Sequence, residues 1–502
     1  IGFILAGISN QVSLPLSLGY VSLVGLLMIT PLTMIGAPLG VRFAHHLSKN
    51  KLNFIFGLII FIFLILLVKF FYLQVAQFDL YSSLSKNNSI KVIPIPPIRG
   101  QILDRNGEIL AENKLIYTLE INPEQKLDIN EVKNRLIGIV EITKNDIRKY
   151  KKILKESHYS STIPIKTNLT NTQVAKFVAN QYKYPNIILE HKFSRSYPKR
   201  KSGAHFIGHI NRINKKDIID LKKQNIYESY LGSDHIGKTG IEYFYENKLH
   251  GFPGYKKIEV DANNKVIRTI ETVEPTHGDD ITLSIDYKLQ KTAEKAFGSY
   301  KGAMVAMDPS NGEILTYVSQ PTYDPNLFTN GIDENNWKRL NDSIHKPLLD
   351  RVVSGIYPPG STLKPFVALA ALKNNVRRPP FSIIDKGFFK MPNSSKIFKD
   401  WKKGGHGEVD LVKAIAVSCD TFFYGLGIEL GIPKLNEVLK SFGFGEKTNI
   451  DIPNEKKGLI ANAKWKKKKF NKKWYQGETA ITAIGQGYTQ TTPIQLALAT
   501  AK

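Results

Sequence analysis

The chain has 502 residues, 42% of them hydrophobic, and a formal net charge of +25. This length predicts two or three domains and the hydrophobic fraction excludes wholesale disorder, while the charge fits nucleic acid, anionic lipid or an acidic polymer as a partner. The single cysteine, Cys419, excludes an internal disulfide framework, so packing must hold the fold together.

The N-terminal part of the chain is apolar and predicts one or more transmembrane helices. Residues 14–35 are long enough to span a bilayer or to lie in it, and a basic stretch at 42–51 follows them. The next apolar run occupies residues 54–75, and about 20 such residues cross a hydrocarbon core. Lys69, near the end of this run, can extend its amine to the interface. The preceding cations predict a cytoplasmic start, with the bulk of the chain outside; the length of the run argues against a signal peptide.

Residues 1–53 differ in character from the rest of the chain. Leu16–Val21 and Ala37–His46 resemble the tail of a sulfite-exporter (TauE/SafE) type permease. The chain has no initiator methionine, and it stops within a helical pattern, Ile494–Lys502. These features predict a fragment whose head is joined to, or misread from, another membrane protein.

Residues 76–279 alternate short strands with polar helices. Ile98–Gly107 is typical of a strand, a turn and a second strand, with Asn106-Gly107 as the hairpin signal. Residues 145–157 and 215–223 predict charged, exposed helices. Because no cluster in this segment combines a nucleophile with a base, we interpret it as a β-rich membrane-proximal spacer or binding domain.

Residues 280–502 predict an α+β catalytic domain. Ala303–Asp308 and Glu313–Ser319 flank a turn as two strands, an amphipathic helix at 289–296 precedes them, and a helical block follows. Within that block, Tyr357-Pro-Pro-Gly-Ser-Thr-Leu-Lys364 delivers Ser361 to the start of an apolar helix, with Pro365 in its first turn.

Ser361 and Lys364 form a minimal unit for acyl transfer. One helical turn separates them, which predicts that the hydroxyl and the amine share a face. A serine hydroxyl needs a base to take its proton, and a lysine serves only if its charged form is disfavoured. Ser-x-x-Lys also occurs at four positions without the Pro-Gly elbow, where a solvated surface pair is the simpler interpretation: Ser48, Ser83, Ser196 and Ser343.

A second polar pair follows 57 residues later. Ser418 and Asp420 come after a predicted helix at 410–417. A second serine can relay a proton between the lysine and a leaving amine, and a polar residue two positions on can hold a substrate amide. Taken alone, Ser-x-Asp is more typical of a helix cap.

Two further clusters are candidates for binding. The residues Asp385, Asp400, His406 and Cys419 are of types that zinc accepts, although their spacing matches no recognised finger and also fits two turn aspartates, a loop histidine and a buried cysteine. The run Lys464–Trp474 interleaves lysines with aromatics as single-strand binders do. We interpret this run as a basic surface that also packs two tryptophans, with no nucleic acid as partner, because no nucleic-acid-binding module is recognisable elsewhere.

From about Phe54 onward the chain resembles the penicillin-binding protein 2 family, within the serine penicillin-recognising enzymes. The resemblance rests on the following segments: Arg99–Gly107, Gly237–Glu242, Tyr357–Pro365, Asp400–His406, Trp474–Thr479, Ile484–Tyr488 and Thr492–Gln495.

This resemblance implies a D,D-transpeptidase that cross-links peptidoglycan stem peptides in cell elongation and is inhibited by β-lactams. The enzyme is anchored in the inner membrane by one helix, faces the periplasm and works with a RodA-type glycosyltransferase and other elongation proteins. Ser361 would be the acylated nucleophile, Lys364 its base, and Ser418 with Asp420 the second motif, with aspartate in place of the more usual asparagine. No cofactor is needed for catalysis, but some relatives carry a structural zinc on a set like Asp385, Asp400, His406 and Cys419. A D,D-carboxypeptidase or β-lactamase-like hydrolase, or a non-catalytic envelope scaffold, remains an alternative.

The resemblance also implies a third motif, Lys-(Ser/Thr)-Gly, on a strand beside the serine. The one match, Lys238-Thr239-Gly240, precedes the nucleophile and belongs to the membrane-proximal segment. We expect the true motif beyond Lys502, and therefore an incomplete transpeptidase domain that is acylated slowly or not at all.

Overall fold

A computed structural model describes residues 17–18, 21–72, 75, 77, 90–121, 128–156, 162–260, 266–392 and 394–502. The helices are Leu23–His46, Lys49–Phe71, Ile129–Arg135, Lys144–Glu156, Asn171–Asn180, Ala204–Ile207, Lys215–Lys223, Gly240–Phe244, Glu246–Leu249, Tyr287–Phe297, Asn326–Thr329, Glu334–Asn341, Lys364–Lys373, Leu411–Ala416, Asp420–Leu430, Ile432–Ser441, Ala463–Phe470, Gln476–Ala483 and Pro493–Ala501. The strands are Ser17–Leu18, Val21–Ser22, Ile90–Ile95, Ile102–Leu103, Ile109–Ile121, Ile163–Lys166, Ile187–Ser196, His209–Arg212, His235–Thr239, Gly254–Val260, Val266–Val273, Ile281–Thr282, Gly302–Met307, Ile314–Gln320, Ser382–Asp385, Phe388–Lys390, Ile397–Lys399 and Gly407–Asp410.

The chain divides into two compact units, Ile1–Lys91 with Lys257–Ile270, and Val92–Lys256 with Glu271–Lys502. In the first unit, Lys49–Phe71 is the one helix among the described residues that is long and apolar enough to cross a membrane. It begins before the predicted anchor at 54–75 and has no buried residue. The predicted span at 14–35 lies partly outside the described residues, and its later part is in the helix Leu23–His46.

The second unit contains the β-rich part of the membrane-proximal segment. The long strands Ile109–Ile121 and Ile187–Ser196 pair antiparallel along ten residues. A turn precedes this pair, in which the Asp104 carboxylate accepts hydrogen bonds from the backbone N–H groups of Asn106 and Glu108, and Gly107 adopts a φ of 82°. The strands Ile102–Leu103 and Ile109–Ile121 pair antiparallel across this turn, so the structure contains a hairpin where Asn106-Gly107 predicts one.

The domain that contains Ser361 combines strands with helices, and the predicted α+β class is confirmed. The predicted strands at 303–308 and 313–319 are Gly302–Met307 and Ile314–Gln320, which pair antiparallel. The apolar helix after the serine packs into a core with Asp420–Leu430 and Ile432–Ser441.

The helix predicted at 410–417 is shorter, because its first residue ends a strand. Asp410 closes the strand Gly407–Asp410 and caps the helix Leu411–Ala416, its carboxylate accepting from the Lys413 N–H at 2.7 Å. Aspartate commonly caps a helix in this way.

Candidate active site

Ser361 lies on a tight turn rather than on the helix that follows. Gly360–Leu363 forms a 3₁₀ turn, and the α-helix begins at Lys364 with Pro365 in its first turn, as predicted. The Gly360 N–H donates to the Gly485 carbonyl at 2.8 Å. A Cβ at Gly485 would come within 2.0 Å of the Gly360 carbonyl oxygen, so a glycine is required for this close approach.

The Lys364 amine is buried, with 1% of the residue exposed, and it contacts Ser418 and Asp420. It donates to the Ser418 carbonyl at 2.8 Å, the Ser418 hydroxyl at 3.0 Å and the Asp420 carboxylate at 2.6 Å. The Ser418 hydroxyl in turn lies 2.9 Å from the Ser361 hydroxyl. The structure thus brings the four residues together, and the Ser418 hydroxyl connects the Lys364 amine to the Ser361 hydroxyl.

A carboxylate and an aromatic ring lie beside the Lys364 amine. A buried ammonium is costly unless a partner compensates it. The Asp420 carboxylate supplies that compensation, and the Phe423 ring lies 5.4 Å from the amine nitrogen. The Lys364 amine thus lies within ion-pair distance of a carboxylate.

Ser418 is held in position by its backbone. Its φ of 54° is a left-handed conformation that costs about 1 kcal/mol or more for a residue other than glycine. The Ser418 carbonyl accepts from the Trp401 indole N–H at 3.1 Å in addition to the Lys364 amine. Trp401 is a site residue that the sequence reasoning did not assign, although the Asp400–His406 segment containing it was singled out.

The four candidate metal ligands converge beside this site. One ligand atom from each of Asp385, Asp400, His406 and Cys419 lies within 4.8 Å of all the others. The His406 Nδ1 atom is 2.8 Å from an Asp385 oxygen and 3.7 Å from an Asp400 oxygen, and the Cys419 sulfur is 3.5 Å from Asp385. Ligands about 2.0–2.3 Å from a zinc ion are separated by roughly 3.3–3.8 Å in a tetrahedron, a range that includes the 3.5 Å and 3.7 Å separations. The 2.8 Å contact between His406 and Asp385 is a hydrogen-bond distance, so these two ligands would have to move apart to bind the metal.

The protonation chemistry of the cluster is consistent with a cation site. Burial pushes the pKa of Asp385 upward, but hydrogen bonds from the Gly387 N–H, Thr421 and His406 outweigh it and hold the pKa below its ordinary value. Burial, together with the charges of Asp385 and Asp400, raises the pKa of the Cys419 thiol to about 12. Two buried carboxylates beside a thiol form a set that a divalent cation would compensate.

The Lys238-Thr239-Gly240 segment has its contacts elsewhere. The strand His235–Thr239 pairs with His209–Arg212. The Lys238 amine pairs with Asp217, and the Thr239 hydroxyl lies 3.1 Å from His209. These contacts are all within the membrane-proximal segment.

Two family models match most of the chain. The model described as "Penicillin-binding Protein dimerisation domain" matches residues 94–283, and the model described as "Penicillin binding protein transpeptidase domain" matches residues 302–502. The chain is 41% identical to the peptidoglycan D,D-transpeptidase MrdA of Acinetobacter baumannii, with 91% of this chain and 67% of that protein covered. It is 40% identical to MrdA of Escherichia coli K12, with 87% and 69% covered. The chain thus spans about two thirds of the length of these relatives.

Solved structures give the same relationship. Penicillin-binding protein 2 of Helicobacter pylori, in complex with MreC, superposes with a TM-score of 0.69 at 34% identity, covering 81% of this chain and 75% of that chain. Penicillin-binding protein 2 of Pseudomonas aeruginosa, in complex with WCK 5153, gives a TM-score of 0.61 at 38% identity, covering 82% and 70%. With this similarity extending through the serine turn and the second motif, the chain belongs to the penicillin-binding protein 2 (MrdA) family of peptidoglycan D,D-transpeptidases.

Proposed function

We propose that the chain cross-links peptidoglycan stem peptides during cell elongation, through an acyl-enzyme at Ser361. The observation that carries this proposal is the continuous hydrogen-bonded path from the Ser361 hydroxyl through the Ser418 hydroxyl to the buried Lys364 amine. Such a path lets a proton leave the nucleophile without a charged group having to enter the substrate cleft.

The reaction proceeds in two halves. The Ser361 oxygen attacks the carbonyl of the D-Ala-D-Ala bond while its proton passes to Ser418, whose own proton passes to Lys364 in its neutral form. Collapse of the tetrahedral intermediate breaks the peptide C–N bond, and the proton returns along the same path to the departing D-alanine amine. An amine of a neighbouring stem peptide then attacks the ester carbonyl and forms a new C–N bond. The C–O bond to Ser361 breaks, and the proton that the amine loses passes along the same path to the Ser361 oxygen.

Asp420 and Trp401 position this path. The Asp420 carboxylate stabilises the ammonium that forms on Lys364 as Ser361 is deprotonated. The Trp401 indole fixes the Ser418 carbonyl, which also receives the Lys364 amine. A β-lactam would enter the same reaction and stop at the acyl-enzyme.

We also propose that the chain is anchored by Lys49–Phe71, with its bulk in the periplasm and a RodA-type glycosyltransferase as partner. The apolar helix and the basic residues before it support this topology. The Helicobacter pylori relative is in complex with MreC, and a further solved relative, at 28% identity and a TM-score of 0.64, is a peptidoglycan synthase complex. Co-purification with a RodA-type protein tests the partner.

For the cluster of Asp385, Asp400, His406 and Cys419, we propose a structural zinc. When bound, the metal would supply a fixed crosslink and no reacting group. Asp385 ends the strand Ser382–Asp385, and Cys419 immediately precedes the helix Asp420–Leu430. These ligands would therefore connect the loop containing Ser418 to that strand. Purified protein should contain about one zinc per chain, and Cys419→Ser should lose it. A metal content equal in the two proteins would remove the proposal.

Labelling by a fluorescent penicillin tests the catalytic proposal. The protein expressed from the complete gene should be labelled, and Ser361→Ala should abolish the label. Ser343→Ala is the matched control, because Ser343 also begins a Ser-x-x-Lys sequence, and we expect labelling at the parent rate. Analysis of products from stem-peptide substrates separates transfer to an amine from transfer to water. Equal labelling in Ser361→Ala would refute the assignment of the nucleophile.

A further inference from the structure

A lysine-rich surface lies on the second unit, outside the catalytic residues. It comprises the exposed lysines of the helix Ala463–Phe470 and of the residues after it: Lys464, Lys467, Lys468, Lys469, Lys472 and Lys473. Lys466, by contrast, is buried and pairs with Glu478. Among the described residues, no other ion pair involves this segment, so the six exposed amines form a cationic surface without carboxylate partners. Two of them lie over aromatic rings, Lys469 at 5.4 Å from Trp465 and Lys473 at 5.6 Å from Tyr475.

The lysines of this surface repel one another. Like charges four residues apart on a helix destabilise it by about 0.2–0.5 kcal/mol per pair, and the helix Ala463–Phe470 has no acidic residue. The segment is nevertheless fixed by an aromatic cluster, in which the Trp465 ring lies 5.6 Å from Phe470 and 5.2 Å from Tyr488. The aromatic rings that the sequence interleaves with the lysines are therefore engaged with one another, which argues against base stacking as the purpose of the pattern.

The same aromatic cluster connects the lysine-rich surface to the serine turn. Tyr488 belongs to the loop that begins at Gly485, whose carbonyl receives the Gly360 N–H. Three residues of chain span at most about 10 Å, so the aromatic cluster lies within roughly 20 Å of the residue that precedes Ser361. An extended peptide of five residues has a length of about 17 Å.

We propose that the lysine-rich surface binds the carboxylates of stem peptides displayed along the peptidoglycan strand whose peptide occupies the serine site. This inference rests on the proposed function and extends it to a second contact on the same polymer. A D,D-transpeptidase substrate ends in a free carboxylate, and a strand presents many such peptides along its length, so neighbouring peptides of one strand could reach a surface that adjoins the aromatic cluster. Several weak ion pairs to one strand raise its effective concentration at the site.

Fluorescence anisotropy with labelled, uncross-linked glycan strands carrying stem peptides tests the proposal. The full-length protein should bind these strands with an affinity that falls steeply as salt rises. Replacing the six lysines by glutamine should weaken binding at low salt about 10-fold or more and flatten the salt dependence, whereas six Lys→Arg substitutions should preserve both. Strands whose carboxylates are amidated should bind the parent protein as weakly as the glutamine variant binds the natural strands, a comparison that needs no substituted protein.

The outcomes separate this inference from the catalytic proposal. If fluorescent penicillin labels the parent at Ser361 but amidation and the glutamine substitutions leave strand binding unchanged, the lysine-rich surface has another role while the catalytic proposal stands. If the parent is not labelled, the catalytic proposal fails whatever the strands do. Tighter lysine-dependent binding of phosphatidylglycerol vesicles or single-stranded DNA than of the strands would overturn the inference in favour of those partners.

Discussion

Replacing Glu242 by glutamine should strongly destabilise the second unit. Glu242 has no exposed surface and lies between two arginines. One of its carboxylate oxygens accepts from the Arg99 Nε atom at 2.7 Å, and the other accepts from the Arg195 Nε atom at 2.6 Å. The Tyr197 hydroxyl adds a contact at 3.2 Å. Glutamine preserves the shape of this side chain, so the substitution removes the charge and little volume.

The size of the destabilisation depends on the arginine charges that lose their carboxylate partner. Arg195 is almost fully buried and already has one terminal nitrogen, Nη2, without a hydrogen-bond partner among the described residues. Arg99 keeps its contact with Glu246 at 2.7 Å, but within the described parts of the chain Arg195 has no ion pair with any other carboxylate. Leaving a buried charge uncompensated costs about 3–5 kcal/mol. Burial alone would raise the pKa of Glu242, but the charges of Arg195 and Arg99 lower it by more, so the pKa lies below its ordinary value of 4.5. The carboxylate is therefore ionised at neutral pH, and this stabilisation is lost only as the pH falls below about 4.5.

Urea denaturation of the detergent-solubilised full chain, followed by circular dichroism, measures this effect at pH 7. Glu131→Gln provides the matched control, because Glu131 forms an exposed pair with Arg135 and its loss should cost less than about 1 kcal/mol. If Glu242→Gln lowers the free energy of unfolding by no more than the control does, the ion pairs of Glu242 with Arg99 and Arg195 do not stabilise the fold as their geometry indicates.

Three further predictions concern single side chains. Ser418→Ala should slow acylation of Ser361 by about 10²–10⁴-fold, because it interrupts the proton path; stopped-flow penicillin labelling at the parent rate would contradict this. Asp420→Asn should also slow acylation, since the ammonium forming on Lys364 loses its carboxylate, while substrate binding measured separately stays near the parent value. Burial lowers the pKa of His209 from 6.5 to about 4, so His209 binds a proton more tightly in the unfolded chain than in the folded one. Stability is therefore lost as the pH falls from about 6.5. Between pH 7 and 5 this loss should reach about 2 kcal/mol, and His209→Gln should remove that part of the pH dependence in denaturation curves.

Local sequence signals located most of the site. The Pro-Pro-Gly turn before Ser361 and Pro365 after Lys364 limit the backbone, so the helix was expected to start at Ser361; it begins three residues later, at Lys364, after a 3₁₀ turn. The two strands around the Asn311-Gly312 turn were likewise found from their pattern. In each case the decisive interaction lies within a few residues along the chain.

Contacts between segments far apart in the sequence were harder to predict. The Arg99, Arg195 and Glu242 side chains come from three separate segments, and no periodicity or turn signal indicates that they meet. The position of Ser418 is a contact of the same kind. Local spacing places Ser361 and Lys364 about one turn apart, but Ser418 comes from 54 residues beyond Lys364 to contact both the amine and the Ser361 hydroxyl.

The arrangement around Lys364 explains why a carboxylate suits this site. A lysine acting as the base must be neutral when Ser361 attacks and charged immediately afterwards, so the costly species is the ammonium formed in a buried pocket. In the proposed mechanism, Asp420 would stabilise that product of proton transfer, and therefore the transition state leading to it. Because the Lys364 amine reaches Ser361 through the Ser418 hydroxyl, the pair of Lys364 and Asp420 stays at a distance from the nucleophile. An asparagine at position 420 would leave the charge that develops on the amine with only hydroxyl, carbonyl and amide dipoles.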